Sequence, residues 1–127
     1  GMARSEGGRA AALRREVMET VWDGLGGPRT EEGCRSAIER LRDTGAKAEA
    51  CRLASHDRWN LDALEFLELQ LMLPCAESIL LSAGLRTETR GSHTRGDHPD
   101  ADPALDGLRT RVGQSDGALA ADWEAVA

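Results

Sequence analysis

Between positions 61 and 85 the chain is apolar in nearly every direction that a helix can face. Leu64, Phe66, Leu67, Leu69, Leu71, Met72, Leu73, Ile79, Leu80 and Leu81 all fall in this stretch. At 3.6 residues per turn they leave no broad polar side, so a helix built from them needs neighbours almost all round. Two amphipathic helices cannot cover all of it. Asn60 is placed to cap this helix, and Trp59 stands at the right distance from Leu64 for a hydrophobic staple. Pro74, in the middle, removes one backbone donor and predicts a kink.

Two further helices precede it. Leu13, Val17, Met18, Val21, Trp22 and Leu25 recur at steps of three and four residues, which predicts an apolar stripe on a helix from about residue 12. Gly26, Gly27 and Pro28 stop it. Thr30 is an N-cap candidate, with Glu31 and Glu32 in the first turn, where the helix dipole favours negative charge. The second helix carries a thinner stripe of Cys34, Ala37, Ile38, Leu41, Ala48 and Cys51, and Gly45 weakens it by roughly 1 kcal/mol relative to Ala. Residues 1–8 are small and polar and are expected to fray, and Gly1 ahead of Met2 reads as the scar of a removed tag.

A chain of 127 residues has room for a single hydrophobic core. Its net charge of −6 disfavours a generic nucleic-acid or anionic-membrane surface. Cys34, Cys51 and Cys75 are odd in number, far apart and set among apolar residues. That pattern suits buried free thiols in a reducing compartment, so a cytoplasmic location is expected. The chain shows no basic-then-apolar leader, and its densest apolar run, residues 69–73, is far shorter than a bilayer span. No direct membrane insertion is expected.

Beyond Arg86 the helical period vanishes, and Gly91, Gly96, Pro99 and Pro103 mark a long loop. Residues 108–112 and 118–126 then flank Ser115, Asp116 and Gly117, which predicts a small β-hairpin edged by Trp123. Phosphate loops, Cys-x-x-Cys and His-Glu-x-x-His are missing, and the glycines at 24, 26 and 27 follow a helix instead of the strand that a dinucleotide fingerprint needs. Functional residue types concentrate in the loop: Arg90, His93, Arg95, Asp97, His98, Asp100 and Asp102. A metal site from the two imidazoles and nearby carboxylates is one reading, although the spacing fits no standard site. Adhesion through Arg95-Gly96-Asp97 is another, and a solvated, turn-rich linker is the third.

Two segments carry a resemblance. Residues 12–32, ALRREVMETVWDGLGGPRTEE, look like the opening of the C-terminal helical domain of the succinate dehydrogenase and fumarate reductase flavoprotein family, which also includes L-aspartate oxidase. Residues 60–100 are similar to the family's last long helix running into its Ser-Arg-Gly-Ala-His-x-Arg-x-Asp-x-Pro loop, with Arg90, Gly91, His93, Arg95 and Asp97 matching and Pro99 completing the spacing. Thr89 stands for the usual Ser, Ser92 for Ala and His98 for an aromatic residue, and Pro74 interrupts the long helix.

The resemblance implies a mainly α fold: a three-helix, spectrin-repeat-like bundle over residues 9–103 with its Arg/His loop, then a hairpin tail over residues 104–127. It also implies attachment to a much larger flavin-binding region and a capping domain, with FAD held in that partner and none in this chain. In that family a dicarboxylate exchanges hydride with the flavin, and the acid-base and substrate-gripping residues lie upstream of the matched segments. No residue here is carried over as catalytic, and no activity is expected from the chain alone. Arg90, Gly91, His93, Arg95 and Asp97 are assigned to partner docking or to loop ordering. The implied role is an accessory domain or small subunit of such an oxidoreductase. The alternative is a free-standing protein-interaction module, self-associating as a homodimer through the third helix.

Overall fold

Described over residues 7–54 and 61–126, the computed structural model consists of α1 (Gly7–Leu25), α2 (Glu31–Ala54), α3 (Leu61–Leu85), a 3-10 turn at Pro103–Leu105, and the strands β1 (Leu108–Ser115) and β2 (Ala118–Ala125). The predicted cap at Asn60 and the staple from Trp59 lie outside the described residues. The frayed segment expected over residues 1–8 is corrected at its end, because Gly7 and Gly8 already belong to α1. Gly26 and Gly27 end that helix as anticipated. The Gly26 N–H donates to the Trp22 carbonyl at 2.6 Å, and Gly27 takes a φ of 92°, a left-handed conformation that glycine adopts without a Cβ penalty. Three residues on, the Thr30 hydroxyl accepts the Gly33 N–H at 3.0 Å and caps α2.

The three helices enclose one core. Ala10, Leu13 and Val17 of α1, Ala37, Leu41 and Ala48 of α2, and Phe66, Leu69, Ala76 and Leu80 of α3 are its buried members. Burying a leucine such as Leu69 or Leu80 contributes roughly 1.5–3 kcal/mol. Two threonines share this interior: Thr20 donates to the Glu16 carbonyl at 2.7 Å and Thr44 to the Arg40 carbonyl at 3.0 Å, so each hydroxyl is satisfied within its own helix. Gly24 marks a close approach of all three helices. A Cβ there would stand 2.8 Å from Leu80 Cδ2 and 3.0 Å from the Ala37 Cβ.

Three sequence expectations change. Met18 and Trp22, counted on the inward stripe of α1, are 60% and 74% exposed. The buried line runs through Ala10, Leu13, Val17, Thr20 and Gly24, and Met18 lies about 120° and Trp22 about 160° round the helix from its centre. Cys75 is exposed and Cys51 only half-buried, so of the three thiols Cys34 alone is buried. Lastly, the window Leu64–Leu85, 22 residues with a mean hydropathy of 1.4, is long and apolar enough to cross a membrane, which the run at residues 69–73 did not suggest. The longer window tolerates scattered polar residues between its leucines. In the structure this segment is the helix on which α1, α2 and the hairpin all pack. It continues through Pro74, whose carbonyl accepts the Ser78 hydroxyl at 2.7 Å.

The tail is an antiparallel hairpin pairing Leu108 with Ala125 through to Ser115 with Ala118. Asp116 and Gly117 form its two-residue turn with φ of 52° and 79°, the combination of two positive values that a type I′ turn requires. Period two then sorts the faces. Arg109 meets Glu124 at 3.1 Å and Arg111 meets Asp122 at 2.9 Å on the exposed side, while Leu108, Thr110, Val112, Leu119 and Trp123 turn toward the bundle and are half-buried.

Candidate functional site

The segment between α3 and the hairpin gathers the sequence-predicted site residues at one end of the bundle. It is pinned by short backbone ladders. Arg90 and His93 exchange N–H···O bonds of 2.8 and 3.0 Å around Gly91, whose φ of 58° favours glycine at this bend. Farther on, the Arg29 N–H donates to the Thr94 carbonyl and the Gly96 N–H to the Arg29 carbonyl, both at 2.7 Å, so the loop pairs with the α1–α2 connection. The Thr89 hydroxyl accepts the Arg95 N–H at 2.9 Å and donates to the His98 carbonyl at 2.8 Å.

Within this frame the charged residues form three clusters. In the first, Arg95 is fully buried, and its Nη1 donates to the carbonyls of Ala83 and Gly84 in the last turn of α3 and to that of Arg86, at 2.9–3.0 Å. Its other edge pairs with Asp97, and Asp97 Oδ2 also accepts the Glu31 N–H that opens α2, at 2.9 Å. The hydrogen bond from Arg95 holds the Asp97 carboxyl well below the usual carboxylate range, and the bond to Asp97 pushes the Arg95 guanidinium up.

The second cluster centres on Glu88, a fully buried carboxylate that accepts from Arg90 Nε at 2.6 Å, the Asp102 N–H at 2.7 Å and Arg86 Nη1 at 2.5 Å. These donors, Arg90 foremost, lower its pKa to about 2. Arg86 then reaches the hairpin, donating to the Leu108 carbonyl at 2.7 Å and lying 5.0 Å from the centroid of the Trp123 ring. Arg90 continues outward to Asp106. Glu88 was missed among the candidate residues. The pattern Arg86-Thr-Glu88-Thr-Arg90 carried a usable signal, because in extended backbone residues two apart share a side.

The third cluster joins Arg29 to His93. Arg29 Nη1 lies 2.7 Å from His93 Nδ1, and His93 Nε2 lies 3.0 Å from the Arg86 carbonyl. A guanidinium has no acceptor and a carbonyl has no proton, so both contacts select the same tautomer: Nδ1 accepts and Nε2–H donates. Burial, together with the nearby positive charges of Arg29, Arg95 and Arg86, pushes the imidazole pKa down and keeps it neutral.

This geometry removes two of the readings open in the sequence. The described residues contain no group of three or more His, Cys, Asp or Glu arranged to hold a metal, and both nitrogens of His93 are already engaged. Arg95-Gly96-Asp97 cannot present itself as an adhesion tripeptide, because its arginine is inside the protein and tied to its own aspartate. The strands among the described residues form one antiparallel hairpin, without the strand–turn–helix crossover that carries a dinucleotide fingerprint.

Comparison with known proteins agrees with the architecture. Residues 14–124 match the family described as fumarate reductase flavoprotein C-term. The chain is 31% identical over 95 residues to the succinate dehydrogenase flavoprotein subunit of Coxiella burnetii, covering 74% of this chain and 16% of that one. It is 30% identical over 101 residues to the fumarate reductase flavoprotein subunit of Haemophilus influenzae, covering 78% and 17%. Among solved structures, the Mycobacterium smegmatis Sdh1 complex in its apo form contains a chain that superposes with a TM-score of 0.71 at 24% identity, over 91% of this chain and 20% of that one. The chain thus spans about a fifth or less of the length of these relatives. With its three helices, clamped arginine loop and terminal hairpin, it belongs to the family of fumarate reductase flavoprotein C-terminal domains.

Proposed function

We propose that this chain is the accessory helical domain, or a small subunit, of a fumarate reductase/succinate dehydrogenase-like flavoprotein oxidoreductase. It supports a separate FAD-binding region that carries the dicarboxylate chemistry. The observation that carries this reading is the face left open on the bundle: Met18, Trp22, Leu71 and Ile79 are all more than half exposed, an apolar surface that a self-contained three-helix domain would cover. The three free thiols suit a reducing, cytoplasmic setting.

The test mixes the purified chain with a flavin-binding region from the source organism that lacks its own C-terminal domain, followed by gel filtration monitored at a flavin absorption band. Co-elution at a fixed ratio is expected. Separate elution at micromolar concentrations of both would overturn the reading. A shift of the chain alone to twice its mass would favour the homodimeric module, which the same apolar face would serve.

A further inference from the structure

The open face has a defined end. Between α1 and α3 runs a groove of about 460 Å³ lined by Val17, Met18, Val21, Trp22, Met72 and Ile79. Leu25 and Cys75 also border it, and among the described residues nothing fills it. Leu25 leads directly to a charge, since its carbonyl receives Arg29 Nε at 3.4 Å. Ile79 makes the same connection from α3, lining both this groove and the neighbouring polar cleft that contains Arg29, Arg86 and His93.

The arginines at this end are not equivalent. Arg86 and Arg90 share Glu88, and Arg95 is neutralised by Asp97. Arg29 forms no ion pair with any described residue. Its partners are a backbone carbonyl and the Nδ1 of a neutral imidazole, which orient the guanidinium and leave its charge uncompensated. A partly buried, positioned and unpaired guanidinium beside an apolar trough is complementary to a carboxylate flanked by apolar side chains.

We propose that this groove and the Arg29 guanidinium together form one seat for a segment of the flavin-binding region, with an apolar side chain lying between Trp22 and Ile79 and an Asp or Glu carboxylate on Arg29. The proposal rests on the docking role described above and names the surface that performs it. The relatives' length favours this occupant, because four fifths or more of each lies outside the region this chain matches.

Cys75 provides a footprint, being the exposed thiol of the three and bordering the groove. Its alkylation by iodoacetamide, followed by mass spectrometry, is measured with and without the purified flavin-binding region. Binding should slow Cys75 at least tenfold. Ile79→Glu, compared at matched melting temperature, should weaken binding at least tenfold, as should Arg29→Ala; Arg29→Lys should recover part of the loss. If the flavin-binding region binds while Cys75 stays reactive, or if Arg29→Ala binds as tightly as the parent, the seat is wrong and the docking role survives. If the flavin-binding region does not bind at all, both fall. If Cys75 becomes protected simply by raising the concentration of this chain alone, the occupant is a second copy and the proposal is overturned.

Discussion

Arg95 and Asp97 meet edge to edge, Nε to Oδ1 at 2.7 Å and Nη2 to Oδ2 at 2.9 Å, and each reaches a different helix end. The cation lies on the free carbonyls at the C-terminus of α3, and the anion on the first N–H of α2. Both charges therefore oppose the partial charge of the helix end they touch, so one ion pair ties two helices together and the loop to both.

Removing the arginine should be costly. Arg95→Ala strips three carbonyls and a carboxylate of their donor and leaves a void, so a loss of roughly 2–4 kcal/mol is expected. In a domain of this size that corresponds to a fall in melting temperature on the order of 10 °C, readable by circular dichroism. Arg95→Lys should recover only part of it, since an ammonium cannot span both carboxylate oxygens and the helix carbonyls. An unchanged melting curve for Arg95→Ala would show that the pair does not hold the loop.

The neutral tautomer of His93 should be visible by nitrogen NMR as an unprotonated Nδ1 and a protonated Nε2 at neutral pH. Its folded pKa is depressed by burial and by the surrounding arginines, so the folded state binds its proton less readily than the unfolded chain. The stability this contributes is complete above the unfolded value near 6.5 and is lost as pH falls below it. Melting temperature should decline from about pH 7 to about pH 5, and His93→Gln should flatten that part of the profile. A parent profile that is already flat would contradict the assignment.

The carboxylates act lower on the scale. Glu88, at about 2, and Asp97, also depressed, contribute stability that is present above the ordinary carboxylate range and fades as pH falls toward 2. A second decline in melting temperature is expected below about pH 4.5. Glu88→Gln should lower stability at neutral pH and shrink this acid step, and an acid step of undiminished size would place its origin elsewhere.

Two glycines in the helices should respond oppositely to alanine. At Gly24 the new Cβ meets the buried Leu80 and Ala37 within 3.0 Å, and a loss of about 1–3 kcal/mol is expected. At Gly45 the new Cβ would meet only Leu73 Cδ1, at an ordinary 3.7 Å, so helix propensity should stabilise the protein by up to about 1 kcal/mol. Chemical denaturation of both variants measures the contrast, and a gain at Gly24 would contradict the close approach.

Local rules made much of the architecture readable. Gly26-Gly27 and Thr30 bound α1 and α2, the run from Leu61 to Leu85 is a single helix, and Asp116-Gly117 turns the hairpin, because caps, turns and periodicity depend on neighbours in the chain. The loop's resemblance to the family motif, a different kind of signal, pointed to Arg90, Gly91, His93, Arg95 and Asp97. Tertiary packing decided the rest. Met18, Trp22 and Cys75 are apolar and at helical spacing, yet which side of α1 and α3 faces inward depends on where α2 and the hairpin settle, and the apolar period alone does not contain that choice. The arginines show the same limit: Arg95 goes inside because helix-end carbonyls and Asp97 meet it there, Arg90 is spent on a buried Glu88, and Arg29 alone among them keeps an uncompensated charge. One residue type at one end of the bundle has three electrostatic fates, set by which partners the folded chain brings within hydrogen-bonding distance.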